Sequence, residues 1–394
     1  MEAVPKCDLN NPAKILLVHP GIQHAPRLAE ALEREGVLAR FWTGWATPGP
    51  SAGKRSVGIP REKLKTRPWT EAAAMLLHRA GLHPEKVWHW RNAVFQALLP
   101  EAEIRRADAV IGFDTAGWIL ARRAKRAGKK FILEQSIAHP AARAEELRKI
   151  GCGREVWPEA FEPRPAMVTR AEREEHELAD RVVAASSFAQ RTLVEHGVAG
   201  EKIRVLPYGV GEEFLELGRQ RRGREPGVRP RFLFLGHLSA RKGLRQLLEA
   251  WKTVRGAELV LMGGGDPGPW QAAAGEGVIF AGGGDRRRVL AEMGRADVFV
   301  FPSLFEGFGL VILEAMAAGL AVITTQNTGG PDVMEDGREG KIVSAGDVAQ
   351  LGQALASMVR NPAGTAEMGR RAHARAVQMT WKLYGQRYVE EILG

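Results

Sequence analysis

The 394-residue chain has almost nothing with which to build covalent or metal staples. It holds two cysteines, Cys7 and Cys152. They form neither a disulfide framework nor a zinc-ligand spacing. No apolar run reaches the ~18 residues that a bilayer crossing takes. The opening MEAVPKCDLNNPAKILLV sets acidic and polar residues ahead of a short strand-like run, unlike a secretory leader, which points to the cytoplasm. There is no Asp-x-Asp pair to hold a metal on a diphosphate, no His-x-x-x-His and no Gly-x-Ser-x-Gly elbow. Hydrolase triads and metal-dependent phosphoryl transfer are unsupported, and neither a metal nor a bound cofactor is expected.

Net charge is what the chain has in excess, at +10. Between Arg40 and Lys130 stand 18 Lys and Arg against 7 Asp and Glu, a local excess of +11, so the remainder is at −1. A one-sided basic region suits an anionic partner: a membrane surface, a phosphorylated lipid or glycan, or nucleic acid. A solvated basic face with no partner explains it equally well. No helix-turn-helix, zinc-finger or aromatic nucleic-acid motif is present, so nucleic acid is not expected. From Lys54 to Pro100 the cations are mixed with Trp69, Trp88 and Trp90. That mixture suits a peripheral helix on an anionic membrane, or an ordinary helix pair on the core.

Short apolar runs alternate with amphipathic stretches. KILLVHPG, ADAVIGFD, KKFILEQS and ADRVVAAS read as strands, each followed by a helical pattern. The stretch 211–230, GEEFLELGRQRRGREPGVRP, breaks the rhythm with Gly, Arg and Pro and reads as a linker. The rhythm resumes with RFLFLGHL, AELVLMGGG, GVIFAGG, DVFVFPS and LAVITT. This predicts an α/β chain of two doubly wound, Rossmann-like domains facing across a cleft. The expected division is 1–210, a linker 211–230, a second domain 231–379, and a C-terminal helix 380–394. Ligands in such folds sit at the carboxyl ends of the strands.

Four constellations lie at such ends. In FLGHLSARKGL a strand closes at Gly236, and Arg241-Lys242 precede a helix. Cations are disfavoured at a helix N-terminus, so a bound anion is expected to compensate them; a solvated helix start is the bland alternative. In FEGFGLVILEAMAAG, Glu306 and Glu314 lie eight positions apart, with Gly307, Phe308 and Gly309 between them. The helix after Gly309 turns its positive end to the crevice, which suits a phosphate. Glu314 sits among hydrocarbon and needs a partner, either vicinal hydroxyls or an internal ion pair. LMGGGDP and VIFAGG expose backbone near Gly263 and Phe280 that could read a planar base, or are plain turns. In the first half, Gly21 follows the first strand, and His139 closes ILEQSIAHP.

In order and spacing these stretches resemble family 4 of the retaining glycosyltransferases, which have the two-domain GT-B fold. FEGFGLVILEAMAAGLAVITTQNTGGPDVMEDGREGKIVSAGD is similar to that family's signature block, and LGHLSARKGLRQLLEAW to its phosphate-binding loop. TWKLYGQRYVEEI is similar to its C-terminal helix, which crosses back to the first domain. The resemblance implies a nucleoside diphosphate sugar as donor and an acceptor on a glycan or lipid carrier. Arg241 and Lys242 would hold the diphosphate, Glu314 the ribose hydroxyls and Glu306 the sugar hydroxyls. The amides of Gly307, Phe308 and Gly309 would approach sugar and phosphate. His139 falls where the family places a histidine beside the donor sugar, and Gly21 in its first glycine-bearing loop. Two positions depart from the pattern: Pro20-Gly21-Ile22 stands where many members have two adjacent glycines, and Asp332 where Glu is common. A sugar-nucleotide epimerase of the same fold, or a non-catalytic glycan- or lipid-binding relic, are the competing readings.

Overall fold

The computed structural model describes residues 13–21, 23–48, 56–221 and 229–394. Cys7, Ile22 and Lys54 lie outside the described residues.

The apolar runs pair as two parallel sheets. In chain order, the first contains β1 (Ile15–His19), β2 (Leu38–Thr43), β3 (Leu64–Thr66), β4 (Ala109–Phe113), β5 (Lys130–Gln135), β6 (Arg181–Ala184) and β7 (Ile203–Val205). Their spatial order is β3-β2-β1-β4-β5-β6-β7. The second contains β8 (Arg231–Leu235), β9 (Glu258–Met262), β10 (Val278–Gly282), β11 (Val298–Phe301), β12 (Ala321–Thr325) and β13 (Gly340–Val343), ordered β10-β9-β8-β11-β12-β13. All these pairings are parallel. Parallel strands are buried on both faces, which explains why β1, β4, β11 and β12 read as unbroken apolar runs rather than alternating ones. In each sheet the order reverses beside the first strand, leaving a crevice at the carboxyl ends of β1 and β4, and of β8 and β11.

The helices that matter for the site are α1 (Ala25–Arg34), α2 (Pro68–Arg79), α3 (Pro84–Ala97), α4 (Arg143–Lys149), α5 (Ala166–Leu178), α6 (Ser187–Glu195), α7 (Glu212–Arg219), α8 (Leu244–Trp251), α9 (Arg286–Arg295), α10 (Leu310–Ala317) and α11 (Trp381–Tyr388). The stretch expected to be a linker is partly helical, because α7 buries Phe214 and Leu215 beneath its charged face. Gly211 precedes that helix and Gly218 lies within it, while both prolines of the stretch, Pro226 and Pro230, come later; residues 222–228 lie outside the described residues.

The end of the chain returns to the first sheet. Val210 N–H donates to the Met379 carbonyl at 2.8 Å, and α11 lies on α1, with Gly385 against Ala31. All three tyrosines gather at this crossing. Tyr208 stacks on Trp381 with ring centroids 6.0 Å apart and meets Tyr384 edge-on at 6.1 Å. Tyr388 Oη donates to Glu134 Oε1 at 2.6 Å, while His24 Nε2 lies 3.0 Å from Glu134 Oε2. Glu134, enclosed on β5, is thus satisfied by the first helix and the last.

Candidate functional site

The strand end of β8 and the strand end of β11 are laced together. Gly243 adopts φ 70°, a left-handed turn that also brings its Cα against the Pro302 carbonyl; a Cβ there would lie 1.9 Å from that oxygen. The turn delivers Arg241 and Lys242 to the loop after β11. Leu304 N–H donates to the Arg241 carbonyl at 2.9 Å, and Arg241 Nη1 donates to the Phe305 carbonyl at 2.8 Å. Both cations converge on one carboxylate. Arg241 Nη1 lies 3.0 Å from Glu306 Oε2, and Lys242 Nζ donates to the same oxygen. Lys242 Nζ also sits 4.6 Å from the centre of the Phe301 ring.

The counter-charge expected from a bound anion is supplied here by the chain's own Glu306. Burial pushes the Glu306 carboxyl up, but Lys242 and Arg241 outweigh it and hold it below the usual range. Burial lowers Lys242, with Glu306 offsetting part of that. The three groups form an ionised, half-enclosed cluster in which two cations share one anion.

Glu314 also has a partner. It lies in the second turn of α10 and accepts from Arg286 Nη1 at 3.0 Å. Arg286 lies 4.2 Å over the Phe214 ring and also bonds Glu213, which Arg27 of α1 approaches at 3.7 Å. Burial drives the Glu314 carboxyl up to about 7, against the pull of Arg286 and with a further push from Glu213. Of the two partners expected for it, Glu314 here makes the internal ion pair.

Gly307 has no room for a side chain. A Cβ would lie 2.1 Å from the Ser136 carbonyl at the end of β5. Ser186 Oγ donates to the Gly307 carbonyl, and Ser187 N–H reaches the Asp332 carboxylate at 3.0 Å. The Gly307 turn is therefore pressed onto the first sheet's loops. Phe308 is buried and meets Tyr208 edge-on at 5.2 Å. Gly309 has φ 81° and caps α10. Gly236 and Gly263 lie side by side, so close that a Cβ on Gly263 would stand 1.7 Å from the Gly236 carbonyl oxygen. Phe280 is half-buried on β10.

The first-half candidates stand apart from this cluster. Gly21 is half-buried, and its carbonyl accepts from Thr43 Oγ1 at 3.3 Å. The His139 ring is stacked on His196 at 4.6 Å and lies 5.4 Å from His176. Burial lowers its pKa to about 3, with His176 and His196 adding to the effect, so the ring is neutral. Among the described residues no three His, Cys, Asp or Glu groups could hold a metal ion, so this trio is a stack rather than a ligand set.

Three residues at the site escaped the sequence reading. Arg286 is one of three consecutive arginines, and nothing local marks the one that turns inward. His19, at the end of β1, is buried with neither ring nitrogen bonded, and burial holds its pKa well below the usual value. Arg143 opens α4 in the first half, and burial, then Arg164, lower its pKa.

Two parallel-sheet halves with their strand ends turned to one another define the GT-B architecture. Over residues 229–361 the chain matches the family described as glycosyl transferases group 1, and over 21–209 the glycosyl transferase 4-like domain. The two matches span most of its length, and the chain belongs to this group of glycosyltransferases. It is 34% identical over 188 residues to the phosphatidyl-myo-inositol mannosyltransferase of Mycobacterium leprae, covering 45% of this chain and 50% of that protein. It is 29% identical over 228 residues to the alpha-maltose-1-phosphate synthase of Mycobacterium tuberculosis, covering 51% and 59%. The chain thus spans about half the length of the curated relatives it matches. Among solved structures, sucrose-phosphate synthase from Thermosynechococcus elongatus superposes with a TM-score of 0.67 at 20% identity, over 96% of this chain and 98% of that one. An Anabaena protein crystallised with UDP and glucose gives 0.66 at 17%, over 97% and 99%. At these identities the likeness speaks for the fold.

Proposed function

We propose that this protein is a retaining glycosyltransferase that moves a sugar from a nucleoside diphosphate sugar to an acceptor hydroxyl. The observation that carries the reading is the Arg241–Lys242–Glu306 cluster at the crevice. Two cations held by one carboxylate keep an unspent positive charge where a diphosphate departs. In the proposed step the bond from the anomeric carbon to the phosphate oxygen breaks, and its electron pair leaves with the diphosphate. The acceptor oxygen bonds to that carbon on the same face and passes its proton to the departing phosphate oxygen. Arg241 and Lys242 stabilise the charge that grows there, Glu306 orients them and meets the sugar hydroxyls, and Glu314, released from Arg286, takes the ribose. His139 and Gly21 complete the donor site from the first half when the crevice closes. Gly236, Gly263 and Phe280 frame the base. No metal is assigned a part.

The acceptor proposed is a glycan or lipid-linked molecule of bacterial surface-glycan or glycolipid synthesis, met at the inner face of the membrane by an enzyme of the cytoplasm. Among the described residues no helix is long and apolar enough to cross a membrane. Helix α2 buries only Thr70 and Ala74, leaving Trp69 51% and Leu76 66% exposed. Exposed Arg61, Arg79 and Lys86 lie in the same region. Apolar anchors set among cations suit an anionic lipid surface. Sedimentation with vesicles should rise with anionic lipid and fall with salt; equal binding to neutral vesicles would sink this part.

The central test is thermal stability against a panel of nucleoside diphosphates. One base should stabilise the protein, by about 2.7 kcal/mol at a hundredfold excess over Kd. No shift with any base overturns the transferase reading. NMR of the product anomer tests retention, and a covalent sugar adduct on Glu306 would refute the same-face step.

A further inference from the structure

Glu314 and Glu213 share one guanidinium, and they share it unequally. Arg286, the first residue of α9, gives Glu314 a single hydrogen bond, from Nη1 to Oε1 at 3.0 Å. It gives Glu213 two, from Nε at 3.0 Å and from Nη2, both to Oε1. Its guanidinium also lies 4.2 Å over the ring of Phe214, the next residue of α7. Arg286 is thus seated on the helix that opens the linker, and Glu314 has the lesser share. Glu213 is a fixed anion in the first turn of α7, where the helix dipole favours one. Burial pushes its carboxyl up, but its own backbone N–H, Arg286 and Arg27 outweigh that and hold it below the usual range. Arg27 of α1 approaches Glu213 Oε1 at 3.7 Å. The run Glu314–Arg286–Glu213–Arg27 therefore crosses from the second half through α7 to the first.

Arg286, Glu213 and Arg27 are the charges that act on Glu314. The other elements packed on α10 direct theirs elsewhere. Strands β11 and β12 carry no titratable residue. His373, on the helix Pro362–Ala376, bonds the Ala317 carbonyl at the end of α10. Arg219 of α7 pairs with Glu212 and Glu216 on that helix's exposed side. A single hydrogen bond is a contact that two vicinal hydroxyls can replace, since a carboxylate has room for both. Arg286 would keep its seat on Glu213 and Phe214. Without Arg286, burial would drive Glu314 further toward the neutral form, a weaker acceptor than the charged one. We propose that Arg286 is a positioning residue for the donor: it keeps Glu314 charged and aimed in the empty site, yields it to the ribose hydroxyls, and stays docked on α7. This rests on the transferase reading, in which Glu314 meets the ribose. Helix α7 thereby tunes nucleoside affinity without touching the nucleotide.

Isothermal titration with UDP, GDP and inorganic pyrophosphate is run across neutral pH on the full chain, on Glu213→Gln, on Arg286→Gln and on the double variant. Pyrophosphate has a diphosphate for Arg241 and Lys242 but no ribose, so it reports an intact second half. In the parent, nucleoside diphosphate affinity relative to pyrophosphate should fall as the pH drops through about 7, where Glu314 takes its proton. In alkaline solution Glu213→Gln should weaken the nucleoside diphosphate at least threefold, because Glu314 is then the one described carboxylate bonded to Arg286, and should leave pyrophosphate within twofold. Arg286→Gln should bind at least as tightly as the parent in alkaline solution, since the competitor is gone. Its affinity should start to fall at a higher pH, since the charge that opposed protonation is gone too. In that background Glu213→Gln should add nothing to the alkaline affinity. A merely structural ion pair would leave the pH profile where it was. The proposal is overturned if Glu213→Gln leaves nucleoside diphosphate affinity unchanged, if pyrophosphate weakens in parallel, if Arg286→Gln keeps the parent's pH profile, or if the effect of Glu213→Gln survives in the double variant. A parent that binds no nucleoside diphosphate overturns the transferase reading, and this inference with it.

Discussion

Glu306→Gln separates a carboxylate that serves the fold from one that serves the reaction. Among the described residues Glu306 is the one counter-charge for Arg241 and Lys242, at 3.0 Å from the first and in direct contact with the second. Glu306 and Lys242 are 13% exposed and Arg241 26%, so the cluster is enclosed enough for its charges to count. Removing one partner of a buried pair costs about 3–5 kcal/mol. Glutamine keeps one acceptor oxygen and some water reaches Arg241, so the loss is set at about 3 kcal/mol. For a half of this size that lowers Tm by roughly 6–12 °C. A diphosphate carries the missing charge and displaces nothing in the variant, whereas in the parent it competes with Glu306 for the same two cations. Nucleoside diphosphate should therefore bind the variant more tightly, by roughly tenfold for each 1.4 kcal/mol of competition removed, and should restore most of the lost Tm. Transfer should fall by about 10²-fold or more, because Arg241 and Lys242 lose their orientation. The assays are thermal melts with and without UDP or GDP, calorimetric titration, and donor turnover. Weaker nucleoside diphosphate binding in Glu306→Gln would refute the reasoning, since Glu306 would then not compete for the cations.

A carboxyl held up to about 7 when folded, against the ordinary 4.5, binds more protons in the folded state between those values. Glu314 therefore contributes stability that is present below about pH 4.5 and lost as the pH rises through 7. Glu314→Gln should flatten the stability profile over that window by an amount on the order of 3 kcal/mol, and an unchanged profile from urea melts would contradict the shift. Tyr388→Phe removes a donor from buried Glu134 and should cost about 1–3 kcal/mol in urea melts with nucleoside diphosphate affinity unchanged; a loss confined to affinity would show that the contact belongs to the site. Gly307→Ala places a methyl 2.1 Å from the Ser136 carbonyl and should force the halves apart. Small-angle scattering should show a larger radius of gyration and turnover should collapse, while an unchanged radius with full activity would mean that the turn is not clamped.

The β-then-α rhythm was legible because parallel strands covered on both faces leave solid apolar runs, as ILLVH and VFVF show. The helical half of the linker was not, because its Phe214 and Leu215 are outnumbered by Gly, Arg and Pro just downstream. Arg241, Lys242 and Glu306 could be named in advance because each lies in the short segment between a strand and the next α-helix. Their mutual ion pairs could not, since 64 and 65 positions separate the partners. The same limit hid Arg286 as the partner of Glu314. His139 was placed after a strand from the sequence, but its ring neighbours, histidines contributed by α5 and by the residue after α6, were not legible there. Side-chain direction at a strand end is set by neighbours that local sequence does not identify.

The bond from Tyr388 to Glu134 spans 254 positions, and it sets a clock on synthesis. A ribosome adds roughly 5–20 residues per second, so about 13–50 s pass between the appearance of Glu134 and that of the tyrosine that satisfies it. Through that interval the nascent first half shows an uncovered flank of α1 and a carboxylate lacking its second donor. Helix α11, made long after them, is what closes them.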